Sequence, residues 1–410
     1  MSIKKTASIF TASALALAVS GAAQAYTIEA GDTTANVYGY AKLDMIYDVD
    51  DDLGNAVSRA AISLDGVDSS TGHTTMHAYQ SRLGFTTSTP VGGSELKTMI
   101  EGDFFGSGGG SFRLRHAYGE WNGLLAGQTW TNFGGFLAMH PTIDFTPTPG
   151  IGNAARQAQL RYTIDGFSVA LEDPDSLGGS PSASYNVTEQ FYAGGEPVVD
   201  ANGNPVGATS SVNTAKTRLP DLTMRYQGGV GDFNYAASAL LRQVRYDANS
   251  QSNAPAAWSS DSATGWGLAL EANAKVAEGV TIRGGVTHGD GIGGYLEGSP
   301  AAPAYIDPTT GSLETIEATG GAASITVAAG PGNMTLGYGI ARADLDDAEA
   351  AGVANIASAN KQFEAVHLNY IWSPIRNVTY GVEVGYHTRE VADGRDGDAV
   401  RLQGMVQYNF

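Results

Sequence analysis

The residues from Val400 to Phe410 alternate. Val400, Leu402, Gly404, Val406, Tyr408 and Phe410 are apolar or small, while Arg401, Gln403, Gln407 and Asn409 fill the other parity, broken only by Met405. A period of two with one oily and one wet face predicts a strand whose two sides meet different surroundings. The pattern recurs upstream. In a first strand Val37, Gly39, Ala41, Leu43 and Met45 oppose Tyr38, Tyr40, Lys42 and Asp44. In a second, Leu83 and Phe85 oppose Gln80 and Arg82. In a third, Leu96, Ile100 and Phe104 oppose Lys97, Glu101 and Asp103; in a fourth, Phe112, Leu114 and Tyr118 oppose Arg113 and Arg115.

Turn signals punctuate these strands at Thr89 to Gly93, Asn122-Gly123, Asp165-Gly166, Gly228 to Asp232, Ala277 to Gly279, Ala329 to Asn333 and Ser373 to Asn377. Asn-Gly and Asp-Gly are strong hairpin signals because both turn positions tolerate positive φ. Seven short turns, with both chain ends on their side, imply eight hairpins and hence about sixteen strands. The longer connections fall at 48–75, 105–111, 131–156, 173–218, 247–263, 288–318, 342–361 and 390–398, rich in Gly, Asp, Asn and Pro. Short turns on one rim and long loops on the other predict an all-β, transmembrane antiparallel barrel. A closed barrel is the β-structure that satisfies every backbone donor and acceptor inside a membrane. Trp121, Phe167, Phe233, Tyr235, Tyr370, Trp372, Tyr380 and Phe410 sit beside short turns or the terminus, where interfacial aromatics belong. A soluble sandwich or propeller is the alternative, but no recurring blade motif is present.

The amino-terminus agrees. Lys4 and Lys5 precede an apolar or small run from Ala7 to Val19, and Ala23-Gln24-Ala25 is a small-x-small cleavage site. Residues 1–25 therefore read as a signal peptide and 26–410 as the barrel domain. After residue 25 no apolar run is long enough for a spanning helix. Hydrophobic content of 42% suits a wall in which only alternate residues face lipid. There is no Cys, which removes disulfide and thiol chemistry. The formal charge is −19; without the two lysines of residues 1–25, 21 basic against 42 acidic residues leave −21. Such a balance excludes nucleic-acid binding by bulk charge.

About sixteen strands leave a water-filled lumen, so function rests on its lining. Lys42, Arg82, Lys97, Arg113, Arg115, Arg161, Arg225, Lys275, Arg283 and Arg401 all take the polar parity. Charges on the lipid face cost about 2–4 kcal/mol at midplane, so parity alone turns them inward. Arg113 and Arg115 rise from one face about 7 Å apart. With Lys42 and Arg82 they are candidates for a basic ladder that binds small anions, carboxylates being met bidentately. The competing reading pairs these cations with inward Glu101, Asp103 or Glu172 and makes them wall supports. Lys42, Arg82, Arg113, Arg115, Arg161, Arg225, Arg283 and Arg401 are the candidate pore-lining, anion-binding residues.

The 131–156 connection contains Met139-His140-Pro141-Thr142-Ile143-Asp144-Phe145, and Pro141, Pro147 and Pro149 stiffen it. A stiff, partly apolar loop prefers burial, so it is expected inside the barrel as a constriction; a folded outer loop is the alternative. Constriction candidates are His140 and Asp144 on the loop and Glu101 and Asp103 on the wall.

Here the chain resembles the DcaP-like family of outer-membrane porins. The resemblance rests on Arg113-Leu114-Arg115-His116-Ala117-Tyr118, Gly127-Gln128-Thr129-Trp130-Thr131-Asn132-Phe133, Asp144-Phe145 with Pro149-Gly150, and Arg156-Gln157-Ala158-Gln159-Leu160-Arg161-Tyr162. It covers the centre of the first half well; the second half matches only in strand pattern and terminal Phe. The resemblance implies a homotrimer of sixteen-stranded barrels in the Gram-negative outer membrane, admitting dicarboxylates and related small anions. It further implies that the barrel-assembly machinery reads Phe410. The coiled-coil segment of some members has no counterpart before the first strand.

Asp48, Asp50, Asp51 and Asp52 cluster in the first long connection and Asp344, Asp346 and Asp347 in the seventh. They are either solvated charge or divalent-cation sites that tie down lipopolysaccharide. Screening over about 8 Å lets a negative mouth coexist with a basic throat. Gly289-Asp290-Gly291-Ile292-Gly293-Gly294 matches G-x-G-x-x-G, but no helix is expected after it, which excludes a nucleotide site. No P-loop, H-E-x-x-H or G-x-S-x-G occurs, and the seven His lack zinc-ligand spacing. No catalytic group, metal or cofactor is therefore expected. Two function classes stay open: a passive pore for small hydrophilic solutes, and a receptor or adhesin using the long loops 173–218 and 288–318.

Overall fold

The computed structural model describes residues 26–193, 196–199, 207–249 and 253–410. The signal peptide expected over 1–25 lies outside them. Sixteen antiparallel strands close into one barrel. They are β1 (Thr33–Asp48), β2 in two pieces (His73–His77 and Arg82–Val91), β3 (Ser94–Gly106), β4 (Ser111–Trp121), β5 (Leu124–Trp130), β6 (Arg156–Ile164), β7 (Phe167–Glu172), β8 (Asp221–Val230), β9 (Phe233–Asp247), β10 (Ser260–Ala277), β11 (Val280–Asp290), β12 (Glu317–Ala329), β13 (Gly332–Ala343), β14 (Asn360–Ile375), β15 (Val378–Val391) and β16 (Asp396–Asn409). The seam closes where β16 pairs β1, from Tyr40↔Asn409 to Asp48↔Arg401. Phe410 finishes it by exchanging backbone hydrogen bonds with Gly39 at 3.1 and 3.0 Å. A short strand, Tyr26–Ala30, continues that line by pairing with the start of β1.

All seven short turns fall where the turn residues place them. Asn122-Gly123 and Asp165-Gly166 have φ of 50 and 77° and of 48 and 83°, the positive pair a two-residue hairpin needs. The connection expected at 105–111 is shorter than its peers. Ser107, Gly108, Gly109 and Gly110 all adopt positive φ, and this run returns the chain at once.

Apolar residues of outward parity are exposed on every side of the wall, among them Leu83, Ile100, Leu160, Leu268, Leu336, Val382 and Leu402. That is a lipid-facing band. Trp121, Phe167, Phe233 and Phe410 are exposed beside the short turns; Tyr370 stacks on Trp372 with centroids 5.1 Å apart, and Trp372 meets Tyr380 at a tilt, 5.6 Å away.

One parity assignment changes. The β3–β4 register shifts between Glu101 and Gly102, which face His116 and Leu114. The extra residue is a bulge: Arg115 and His116 are both buried. Beyond it the faces exchange, so Tyr118, expected beside Leu114, turns inward and packs against His116 at 6.4 Å.

The 131–155 connection, hereafter the constriction loop, folds into the lumen. Phe133, Ala138, Ile143 and Ile151 are buried. The 291–316 connection follows it inward, and Phe133, Ile292, Tyr295 and Leu296 form a dry core with wall residues Leu240, Ala269, Ala318 and Ala341. The wall there is built for contact. A Cβ on Gly337 would lie 2.1 Å from the His140 ring, and one on Gly381 2.6 Å from Ile143. Met405, the apolar exception of the last strand, lies against the same site, its methyl 3.0 Å from that Gly381 Cβ position. Its inward parity serves the loop.

Candidate functional site

With the β8–β15 side of the lumen filled by loops, the β1–β6 wall opposite carries the charged lining. Arg113 forks onto Asp103 (Nε–Oδ1 2.7 Å, Nη2–Oδ2 3.1 Å), and Arg115 bridges Glu101 and Asp103 at 2.8 Å each. Arg82 reaches Glu101 at 3.4 Å, and Tyr38 donates to the other Glu101 oxygen at 2.9 Å. The carboxylates are buried in the wall and the guanidiniums lie over them. Side-chain exposure rises from 2% at Arg115 to 20% at Arg82 and 33% at Arg113.

Aromatic rings shape this cluster. Phe105 of the wall stacks on Phe145 of the constriction loop at 4.6 Å, and Arg113 lies over both rings. Arg156 caps Trp130 at 4.5 Å, while Trp130 meets His116 and Phe136 edge-on at 5.0 Å each. Among the described residues no carboxylate lies within 4 Å of Arg156, nor of Arg161 or Arg283. Arg283 instead donates to the Thr326 hydroxyl at 2.8 Å.

The remaining expected cations hold the loop. Lys42 donates to the Ile143 carbonyl (3.0 Å) and pairs with Asp44 (2.9 Å). Arg401 forks onto Asp48 at 2.7 Å twice, reaches Asp144 at 2.8 Å and donates to the Gly54 carbonyl at 2.6 Å. Arg225 pairs with Glu271 at 2.8 Å and touches the Phe133 carbonyl at 3.4 Å. His140 and Asp144 are both buried, facing the wall. His140 shares the Thr148 hydroxyl with His367. Asp144 also accepts the Val57 N–H at 3.1 Å. Glu172 holds the other end of the loop, accepting from Thr131 and the Asn132 N–H.

The structure therefore sorts the sequence candidates into three sets. Arg82, Arg113 and Arg115 join Glu101 and Asp103 at the lumen; Lys42, Arg225, Arg401, His140 and Asp144 position the loop; Arg161 and Arg283 stand apart. Two participants escape sequence reasoning. Arg156 has outward parity along β6, yet at the strand's first residue its head joins Trp130 inside. Glu383 accepts the Ile143 and Asp144 N–H groups at 2.9 and 3.0 Å. Its signal is a lone acid at inward parity among Gly381 and Gly385.

The inner loops are clamped by backbone. Gly150 donates to the Glu297 carbonyl and Glu297 to the Ile151 carbonyl, both at 2.9 Å. Burial pushes the Glu297 carboxyl up from 4.5 to about 7, with Arg59 opposing. The folded form then binds the proton more tightly, so stability is fully present below the unfolded value and falls as pH rises through about 7. The unfolding temperature in detergent is expected to drop between about pH 5 and about pH 8, and Glu297→Gln to flatten that drop. An equal slope in the variant would place the dependence elsewhere.

The DcaP outer membrane protein family matches residues 11–175. The outer membrane channel DcaP of Acinetobacter baumannii is 26% identical over 94% of this chain and 99% of its own, with a TM-score of 0.72. OmpT of Vibrio cholerae (11% identical, 94% of this chain and 100% of its own, TM-score 0.53) and an anion-selective porin from Comamonas acidovorans (10%, 92% and 100%, 0.54) share the fold. No curated protein matches. A family match over residues 11–175 and a DcaP channel alike over nearly the whole chain make this protein similar to the DcaP-like porins, and with its closed barrel they mark it as a porin-type channel protein of the Gram-negative outer membrane.

Proposed function

We propose that the barrel is a passive diffusion channel that prefers small anions, dicarboxylates among them. One observation carries the preference: among the described residues, Arg156 has no carboxylate beside it. Around Trp130 and Phe145 four guanidiniums (Arg82, Arg113, Arg115, Arg156) meet two carboxylates (Glu101, Asp103). The excess is two positive charges at the narrow part of an otherwise acidic chain. Pairing does not cancel this field. It fixes the guanidinium planes and leaves Arg113 and Arg156 offering unused N–H donors to a passing carboxylate.

The test is the reversal potential of single channels under a salt gradient, with and without succinate. Wild-type channels should favour anions and be modulated by succinate. One unit charge about 7 Å from an ion in water contributes about 0.6 kcal/mol, so Arg156→Gln should lower anion partition by roughly 2–3-fold. No shift would remove the proposed role of Arg156. Closed channels from folded protein would favour the receptor or adhesin reading. The proposal includes a homotrimer; the same preparation should give a three-chain mass in detergent, and a one-chain mass would remove that part.

A further inference from the structure

Beneath the constriction loop, on the side of the short turns, lies a cavity of about 510 Å³. This is within the range of small-molecule sites, roughly 300–1,000 Å³. Its ceiling is the loop itself, through Phe136, Leu137, Met139 and Pro141; its wall is the inner face of β8 to β14. Above, Ala138, Ile151 and Ala322 close against one another with Met139. The cavity is thus an alcove with its mouth at the short turns, off the path past the arginine cluster.

Among the described residues one charged side chain lines it, Arg283. Two of the lining amides hold the ceiling: Asn273 donates to the Leu137 carbonyl at 3.3 Å and Asn369 to the Pro141 carbonyl at 2.8 Å. Thr326 takes one Arg283 N–H at 2.8 Å and is itself within 3.1 Å of the Thr335 hydroxyl. That leaves a guanidinium fixed at one corner, with four of its five donors given no protein acceptor among the described residues.

We propose that this alcove binds one monocarboxylate that carries an apolar body. The carboxylate meets the Arg283 fork, and the body lies under Leu137, Met139 and Pro141. A second carboxylate on the same molecule would be pressed against that apolar ceiling without a cation, at a desolvation cost. The alcove therefore separates ligands by charge in the opposite sense to the four-arginine cluster, and it rests on none of the residues that carry the proposed anion preference.

The test uses the full-length protein as single channels in a planar bilayer, with benzoate added to one side at a time and acetate as the control. In each channel benzoate should cause brief partial closures from one side only, and acetate far fewer. Losing a charge-assisted hydrogen bond should weaken benzoate block roughly tenfold or more in Arg283→Gln. Arg283→Lys, which keeps the charge and loses the fork, should fall between. Arg156→Gln should leave the block intact while lowering anion preference, so the two ideas fail separately. Equal block from both sides, or block unchanged in both Arg283 variants, would overturn the alcove site.

Discussion

Arg401→Ala should both widen the channel and weaken the fold. Arg401 is the joint between barrel seam and constriction loop, binding Asp48 of β1, Asp144 of the loop and the Gly54 carbonyl of the first long connection. All three side chains in this set are nearly buried, at 2–3% exposure. Removing the cation leaves two carboxylates facing each other without it. Breaking such a pair by deleting one partner costs about 3–5 kcal/mol. The loop offers the cheapest relief, because Asp144 can reach water only by leaving the wall and taking Ile143 with it. Single-channel conductance should rise and the unfolding temperature fall. Arg401→Lys should recover part of both, since an ammonium reaches one carboxylate well but cannot fork across Asp48 while touching Asp144. Wild-type conductance and stability in Arg401→Ala would show that Glu383, Lys42 and the glycine-lined contact hold the loop without it.

The parts of this architecture that follow local rules were legible in the sequence. Alternation marks a strand wherever lipid and lumen differ, and Asn122-Gly123 and Asp165-Gly166 admit few backbones other than a tight hairpin. The constriction loop declared itself through an apolar run and three prolines where a solvated connection would be polar. What was hidden depends on register. The bulge at Arg115 and His116 leaves no composition signal, yet it decides that Tyr118 faces the lumen. Whether an inward arginine is paired depends on which carboxylate lies across the strand gap, and parity cannot give that. Met405 looked like an error in the alternation and becomes intelligible only with Ile143 beside it.

The Gly289 to Gly294 run, set aside as a nucleotide motif, has a packing role that no linear pattern shows. It leads the 291–316 connection back into the barrel. At Gly293, with φ of 52°, a Cβ would stand 2.2 Å from the Gly178 carbonyl. The inward turn of this connection, which sequence reading treated as a possible receptor loop, therefore depends on a close backbone approach.

Glu101→Gln combined with Asp103→Asn should raise anion preference, the reverse of Arg156→Gln. The two carboxylates hold Arg82, Arg113 and Arg115 in the wall and cancel half the charge of the four-arginine cluster. The amides keep one acceptor oxygen each and discard the charge, so the local excess doubles from two to four. Two further charges about 7 Å from an ion contribute about 1.2 kcal/mol in water, up to roughly eightfold in anion partition before screening. Screening shrinks this gain steeply above about 0.1 M salt, where the Debye length is near 10 Å, so the contrast should be largest in dilute electrolyte. Stability should fall, because Arg115 is buried and loses both charged partners; Glu101→Gln alone, which leaves Asp103 on Arg113 and Arg115, should show the same direction at smaller size. A reversal potential that stays put in both variants would mean permeating ions do not pass this cluster. One that moves toward cations would mean the arginines collapse out of the lumen once their carboxylates are gone, and the wall pairing would then be what keeps the channel basic.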